Sequence, residues 1–476
     1  ILTEHFYDVA PDSLADYFSA GGYKALSKVL KSSENQSLNE IRESNLRSHY
    51  GLGTPLWQKM ETCRQQSEDE KYVVAIGHCQ PEDADVDGKL LAGSPHQVLE
   101  GLIIGAFLVG AEKGFIFIRS ADEKAVSLSE QAIRDARIYG LLGKNILGTS
   151  FDFDVELIRS DEPAAGGEET AVLRFIEGRK AEPVNRPPEP EEKGLWNKPT
   201  LCDNVKTWAY FPAIFLRGGK TFAEIGSKST GGSFLLALEG DSLDPCLVEV
   251  PAGMKIRNIL SFFGNKNILK EVKAVQAGGI TGQILPVDRL DYPFDFSLRT
   301  HANTRLGSML KVYNSHHCVV RTAANALKVS ASEACGRCLT CRVGISRLID
   351  LLEKITIGEG KGVDPELLKE VAAAVRDSSM CPLGAEAPIA LLTSLKYFPE
   401  EYEAHLNGSC PAGRCPKLTD YLIREDQCTG CGDCQKVCPV HAIEGTEKNP
   451  RMIDPIQCIR CGRCPEVCPQ GAIHYE

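Results

Sequence analysis

CTGCGDCQKVCP, residues 428–439, and CIRCGRCPEVCP, residues 458–469, are one pattern written twice, C-x2-C-x2-C-x3-C-P. A cube of four irons and four sulfides needs four thiolates converging on it. A tight loop supplies three of them, and the fourth must come from elsewhere in the chain. Where two such runs lie side by side, the fourth Cys of each ligates the other cluster. This assigns Cys428, Cys431, Cys434 and Cys468 to one [4Fe-4S] centre, and Cys458, Cys461, Cys464 and Cys438 to a second. Paired zinc knuckles or a disulfide framework would leave the repeated Cys-Pro ending without a role. The stretch moves electrons.

A third set stands further up the chain. Cys335, Cys338 and Cys341 repeat the x2 spacing, and Cys381 precedes Pro382 forty residues on. Three thiolates on a loop opening a helix, with one from a distant Cys-Pro, again make a four-thiolate cubane site; a single zinc is the alternative on spacing alone. Between this region and the repeated tail, His405, Cys410 and Cys415 read H-x4-C-x4-C, and no cubane needs them. Thiolate with imidazole suits a closed tetrahedral zinc, for which Cys318 is the expected fourth ligand and His316 or His317 the substitutes. The alternative is an unmetallated pair of hinge cysteines.

The chain has 476 residues, enough for roughly three or four domains. Its 53 basic and 64 acidic residues leave it at −11, which gives no sign of a nucleic acid or anionic membrane partner. The longest apolar stretch, residues 102–109, is too short to span a bilayer, and no signal peptide pattern opens the chain. Nineteen cysteines, mostly at x2 spacing in a long chain, favour metal sites in a reducing compartment over disulfides, so a cytoplasmic and anaerobic setting is expected. Cys63, Cys202 and Cys246 lack partners at metal spacing and read as buried small residues. Cys79, beside His78, reads the same way, with a reactive thiol as the alternative.

Residues 1–45 suggest short polar helices broken at Gly21-Gly22, with a link over 32–37. From residue 71 the pattern alternates: strands at 72–76, 115–118 and 151–158, helices at 95–110 and 127–141, with Ser127 and Glu130 spaced as a capping box. Strands separated by helices imply a sheet covered on its faces. Residues 183–199 hold five prolines and read as an extended surface segment. Beyond residue 231 come short strands at 233–238 and 246–250 and one helix at 256–263, a small β-rich domain ending near Tyr313. Residues 323–405 are helical, with Ile345, Leu348, Ile349 and Leu352 on one face.

ACGRCLTCRVG, residues 334–344, resembles the iron–sulfur motif of the flavoprotein subunit of respiratory complex I, a family with relatives in bifurcating hydrogenases and NAD-dependent formate dehydrogenases. The resemblance continues through SPHQVLEGLIIGAFLVG (94–110), GEET (167–170), PTLCDNVKT (199–207) and GGITGQILP (278–286), and covers roughly residues 40–405. The repeated tail is similar to that of the hydrogenase-type members. The resemblance implies a multidomain α/β and α architecture. An N-terminal helical segment (1–45) precedes a Rossmann-like flavin-type α/β domain (46–230), a β-grasp (SLBB) domain (231–315) and a four-helix [4Fe-4S] cluster domain (316–405). A hinge (406–424) then leads to a two-[4Fe-4S] ferredoxin domain (425–476). It also implies partners: a thioredoxin-like [2Fe-2S] subunit, further iron–sulfur or flavin subunits, and ferredoxin.

The family's nucleotide loop, L-R-G-R-G-G-A-G-F-P-T-G-L-K, corresponds here to LRSHYGLGTPLWQK, residues 46–59. Gly51, Gly53, Pro55 and Lys59 match. Ser48, Tyr50 and Trp57 replace glycines and Leu52 replaces alanine, so side chains fill space that a phosphate or nucleotide would use. A second family segment, N-A-D-E-G-E-P-G-T-F-K-D-R, becomes GHCQPEDADVDGK, residues 77–89: Gly77, Cys79 and Gln80 stand for Asn, Asp and Glu, and Val86 and Asp87 for the Phe and Lys that serve NADH. Ala164 replaces the Tyr before G-E-E. A charge inverted beside a dinucleotide and a lost aromatic platform both weaken binding. Lys59, Glu168, Glu169, Asn204 and Thr207, with Gly51 and Gly53, remain the candidate FMN-binding positions, although Glu168 and Glu169 could equally cap a turn. The expectation is an iron–sulfur relay whose NADH site is lost; the competing reading is an NADH-oxidising FMN subunit.

Overall fold

The computed structural model describes residues 1–49, 53–77, 81–162, 164–241, 243–298, 306–446 and 448–475, with the backbone alone at 81–85 and 164. Strands β1 (Tyr72–Ile76), β2 (Lys113–Arg119), β3 (Asp154–Ser160) and β4 (Thr200–Asn204) form a four-stranded parallel sheet in the order β3-β2-β1-β4. Its centre, β1, reads YVVAI and is buried at every position, as a parallel strand covered on both faces must be. The helix Pro95–Val109 is apolar nearly all round and almost wholly buried, which is the reading of a helix inside a layer rather than on a surface.

That helix carries Gly101 and Gly105 one turn apart because another backbone lies on them. A Cβ at Gly101 would sit 1.8 Å from the carbonyl oxygen of Trp208, and one at Gly105 2.1 Å from the Trp208 ring. Trp208, fully buried, donates its indole N–H towards the carbonyls of Val74 (3.2 Å) and Asp203 (3.3 Å). Buried Glu100 on the same helix accepts the Tyr17 hydroxyl (2.7 Å) and the backbone N–H groups of Tyr23 (2.9 Å) and Leu26 (3.1 Å), which clamps the N-terminal helices onto the layer.

Strands β5 (Ser233–Gly240), β6 (Cys246–Pro251), β7 (Val272–Ala277), β8 (Gln283–Pro286) and β9 (Met309–Asn314) form a mixed sheet in the order β6-β5-β9-β7-β8. Here β5 and β9 run parallel and the remaining pairs antiparallel, and the helix Ile256–Phe263 buries Ile256, Ile259 and Leu260 in this layer's core. Helices Val319–Glu333, Leu339–Thr356, Asp364–Ser378 and Ile389–Tyr397 pack around a core that includes Ile345, Leu348 and Leu352, with Ile349 at its margin. The tail is two small antiparallel ladders, Tyr421–Ile423 with Ile473–Tyr475 and Ile443–Glu444 with Met452–Ile453. Among the described residues no helix is long and apolar enough to cross a membrane.

Several local expectations are corrected. The helix expected from Ser127 runs Glu123–Ile138 with Asp122 at its cap, so Ser127 is interior and no capping box forms there. Most of the expected link over 32–37 is helix: Ser33 caps Glu34–Glu43 by accepting the Gln36 N–H at 3.3 Å. The proline-rich segment is exposed over 184–188, as expected, but is not extended surface throughout. It contains a helical turn, Pro190–Lys193, and buries Pro190 and Glu191. Cys63 and Cys202 are buried as expected, while Cys246 is only half-buried at the start of β6.

Gly101→Ala should force the two helix backbones apart. The expected loss is about 1–3 kcal/mol or more in denaturant unfolding of the chain. An unchanged midpoint and slope would show that the two helices separate without cost.

Candidate redox and metal sites

Lys59 lies on the inner face of the helix Leu56–Gln65, one-tenth exposed, and its Nζ meets three carboxylates from three other segments. Glu169 is at 2.7 Å, Glu191 at 3.2 Å and Asp203 at 3.7 Å, and the Cys202 carbonyl accepts at 2.7 Å. Burial works against the lysine's charge, but the three carboxylates outweigh it and hold its pKa well above the usual range. Burial likewise raises Glu191 and Asp203, whereas at Glu169 the Lys59 and Arg186 charges overcome burial and hold the carboxyl below its usual value. Glu168 caps the helix Glu169–Ile176, accepting Ala171 N–H at 2.9 Å, and also takes the Arg186 guanidinium at 2.6 Å.

These groups line a cavity of about 950 Å³. Its walls come from the helix of Lys59, the Glu168-Glu169 turn, the proline-rich segment (Arg186, Glu189, Glu191, Glu192) and the helical region at Arg376, Asp377, Cys381 and Glu386. Of the expected flavin positions, Lys59, Glu168 and Glu169 face the cavity. Asn204 and Thr207 do not line it. Asn204 caps the helix Val205–Ala209 and donates to Asp87 at 2.7 Å, and Thr207 donates to Asp203 at 2.6 Å while receiving the His49 N–H at 3.1 Å. Gly53 holds φ +69, and a Cβ there would strike the Phe296 ring at 2.2 Å, so its glycine answers to packing. Gly51, Tyr50, Leu52, His78, Cys79 and Gln80 lie outside the described residues. Asp87 is fully buried and paired with Lys206 at 2.5 Å, and Val86 is buried beside it. The inverted charge is spent on an internal ion pair and does not face the cavity.

Cys335 and Cys338 stand on the loop before the helix Leu339–Thr356, Cys341 in its first turn and Cys381 at the cap of Pro382–Glu386. Burial, with the other thiols of the set, pushes Cys341 up to about 12, and burial pushes Cys381 up to about 11. As free thiols they stay protonated; a metal centre would deprotonate them. In the tail, one small recess is lined by Cys428, Cys431, Cys434 and Cys468, and a second by Cys458, Cys461, Cys464 and Cys438.

Cys318, His405, Cys410 and Cys415 are all buried, with their ligand atoms within 4.8 Å of one another. His405 Nε2 is 3.3 Å from Cys318 Sγ and 3.2 Å from Cys415 Sγ, and the two sulfurs are 3.7 Å apart. A tetrahedron with Zn–S bonds of about 2.3 Å has an S–S edge of about 3.8 Å. His405 Nδ1 bonds the Glu401 carbonyl at 2.6 Å, which turns Nε2 towards the sulfurs. His316 and His317 are outside this group; His317 pairs with Asp241 at 2.6 Å.

Sequence reasoning missed Arg186, Glu191 and Asp203. The proline run hid the first two, and Asp203 stands beside an expected site residue without a motif of its own. Lys59→Met should destabilise the chain by about 3–5 kcal/mol, since it strands buried carboxylates. Its pH dependence should invert. Wild type loses the contribution of depressed Glu169 as pH falls through that group's folded pKa. The variant, without the cation that helps hold Glu169 down, keeps the raised Glu191 and Asp203, which bind protons more readily folded than unfolded, and should gain stability as pH falls from neutral. Thermal melts across that range check the sign.

Three family descriptions match the chain: "Nuo51 FMN-binding domain" over residues 41–213, "NADH-ubiquinone oxidoreductase-F iron-sulfur binding region" over 321–405 and "4Fe-4S dicluster domain" over 427–472. The HndC subunit of the NADP-reducing hydrogenase of Solidesulfovibrio fructosivorans is 38% identical over 94% of this chain and 92% of its own. An NADH-quinone oxidoreductase subunit of Rhizobium meliloti is 34% identical over 85% of this chain and 96% of its own. A crystal structure of NAD+-reducing [NiFe]-hydrogenase in the H2-reduced state shares the fold, with a TM-score of 0.71 at 24% identity over 79% of this chain and 64% of that one. Fold, ligand spacing and these identities together place the chain in the family of the complex I flavoprotein subunit, in the hydrogenase-type layout that ends in a dicluster domain.

Proposed function

We propose that this chain is the iron–sulfur electron-transfer subunit of a multi-subunit oxidoreductase, and that it binds a flavin ring but no nicotinamide dinucleotide. One observation carries the reading: the 950 Å³ cavity has Cys381, a ligand of the Cys335 set, in its wall, so a redox group bound there lies against the first cluster. The described lining is acidic. Glu168, Glu169, Glu189, Glu191, Glu192, Asp377 and Glu386 face Lys59, Arg186 and Arg376. Such a wall accommodates the uncharged isoalloxazine ring, with Lys59 and Glu169 at its polar edge. A flavin exchanges one or two electrons; the residues of this chain would supply its seat and the adjoining thiolate set.

On this reading the chain carries three [4Fe-4S] clusters, on Cys335, Cys338, Cys341 and Cys381 and on the two interleaved tail sets, with zinc on Cys318, His405, Cys410 and Cys415. The mixed sheet is a β-grasp layer of the SLBB kind, the helices from Val319 form the four-helix cluster domain, and the tail is a ferredoxin module. Its partners are a thioredoxin-like [2Fe-2S] subunit and further flavin or iron–sulfur subunits, in a reducing cytoplasmic compartment. The competing reading, an NADH- or NADPH-oxidising FMN subunit, draws on the names of the relatives; the replacement of the family's Phe and Lys by Val86 and Asp87, both buried, weighs against it.

Metal analysis of anaerobically purified protein should give about twelve irons and about one zinc per chain. Cys381→Ala should lose about four of the irons and keep the zinc, and Cys410→Ser the reverse. About eight irons in the wild type would remove the Cys335 set. NADH should leave the iron–sulfur absorbance unbleached in the assembled complex, while dithionite bleaches it; rapid bleaching by NADH would restore the competing reading.

A further inference from the structure

The repeated tail is a pseudo-symmetric pair of halves in which each residue has a counterpart thirty positions on, Cys428 with Cys458 and Tyr421 with Arg451. The two thiolate sets match closely. Each receives two backbone N–H bonds to sulfur: Arg451 to Cys428 (3.4 Å) and Ala472 to Cys468 (3.3 Å) in one, Arg460 to Cys458 (3.4 Å) and Ala442 to Cys438 (3.3 Å) in the other. Each has one exposed and one buried cysteine at equivalent positions, Cys431 with Cys461 and Cys434 with Cys464. Hydrogen bonds to sulfur and solvent exposure, two of the protein's levers on a cluster's potential, are therefore balanced between the halves.

Charge is not balanced. Arg451 lines the Cys428 recess and is 5% exposed; its Nη2 would lie 3.0 Å from a Cβ on Gly432. At the equivalent place in the other recess stands Tyr421, whose hydroxyl would lie 2.9 Å from a Cβ on Gly462. The Arg451 guanidinium bonds only neutral acceptors, Gln435 Oε1 at 2.8 Å, the Gly430 carbonyl at 3.4 Å and the Gly445 carbonyl, and its Nε has no hydrogen-bond partner. Among the described residues no carboxylate pairs with it. The cations beside the Cys458 set are different in kind: Arg414, whose Nη1 would lie 3.1 Å from a Cβ on Gly462, pairs with Glu466 at 2.7 Å, Arg460 pairs with Asp420 at 2.7 Å, and Arg463 is exposed. The carboxylate beside the Cys428 set, Asp433 near Cys431, is likewise paired, with Lys436 at 2.8 Å.

A buried guanidinium without a counter-charge is costly unless an anion stands beside it. A four-thiolate [4Fe-4S] centre is that anion: formally a dianion when oxidised and a trianion after taking up one electron. We infer that Arg451 is the counter-cation of the Cys428, Cys431, Cys434 and Cys468 cluster, and that it sets this cluster above its Cys458-set neighbour in reduction potential. The inference rests on the cluster assignment proposed above. An electron entering the module, from a partner's reduced iron–sulfur or flavin centre or from dithionite in the cuvette, then rests on the Cys428 set, because the added negative charge faces the cation there and a neutral phenol on the other side.

The test is a redox titration followed by electron paramagnetic resonance on the full chain in its assembled complex, comparing wild type, Arg451→Lys and Arg451→Tyr. Tyrosine is the side chain the other half already accommodates at this place. The two tail clusters of wild type should titrate at separate potentials. Arg451→Tyr should make the higher one about tenfold or more harder to reduce and bring it towards the other, a tenfold change being about 59 mV for one electron. Arg451→Lys, which keeps the charge, should hold the wild-type separation. Coincident tail potentials in wild type overturn the inference without any variant. So does an unmoved potential in Arg451→Tyr, or an equal shift in Arg451→Lys, which would assign the effect to shape. A wild-type tail short of about eight irons fails the cluster assignment itself, which iron analysis of the same sample separates from these results.

Discussion

The buried ammonium of Lys59 is the point on which the cavity depends. Four segments distant in sequence, the helix Leu56–Gln65, the Glu168-Glu169 turn, the proline-rich run and the end of β4, are each held by the same Nζ. An apolar contact could bury those segments but could not specify how they face one another; a lysine shared by three carboxylates does, because no partner can leave without exposing the others to an unscreened charge. Arg186 repeats the device one layer out, gripping Glu168, Glu169 and Glu189. The carboxylates that line the cavity are the same groups that hold its walls together.

The far half of the chain replaces charge with thiolates. The apolar cluster of the tail consists of Tyr421, Cys434, Ile443, Cys464 and Ile473, and two of those five are expected cluster ligands. Its longest ladder pairs only three residues on each side. So small an apolar interior does not offset the entropy of ordering some fifty residues, and a module of this size needs metal to fold. The clusters are structural before they are redox-active, and ligand binding and folding are one event there. The zinc proposed for Cys318, His405, Cys410 and Cys415 would act the same way, since both Cys410 and Cys415 are buried in a short segment.

What the sequence made legible follows from how local each signal is. The cysteine spacings suggest ligand sets because the geometry of a tight loop is local; β1 and the helix at Pro95 are legible because burial on all sides leaves no polar interruption. Ser127 misled because a plausible cap was read without weighing that the amphipathic pattern extends back to Glu123. The proline run is exposed over 184–188 as its composition suggests, but the turn at Pro190–Lys193 and the burial of Glu191 against Lys59 depend on partners far away in sequence. Asp87 was read against a nucleotide that the family binds, but a lone acid in a sequence does not reveal that Lys206, more than a hundred residues away, will bury with it. The Lys59 network was legible only in part for the same reason: the lysine and Glu169 stand in motifs, and Asp203 and Glu191 do not.

The hinge explains why the tail's symmetry is broken where it is. Tyr421 does more than line the Cys458 recess, since its hydroxyl donates to the Gly413 carbonyl, while the Tyr475 hydroxyl donates to the Pro411 carbonyl at 2.8 Å and Arg414 reaches Glu466. These bonds seat the Cys458 half against the segment that carries Cys410 and Cys415. A neutral hydroxyl is suited to that task, because it both donates to a backbone carbonyl and packs its ring against the module; a guanidinium there would sit among Arg414 and Arg460. Its counterpart at 451 meets no such segment and is free to carry charge. A neutral residue beside the Cys458 set suits this docking, and the Cys428 half, free of it, holds the buried Arg451. The direction in which the module stores an electron is in this way a by-product of how it is attached.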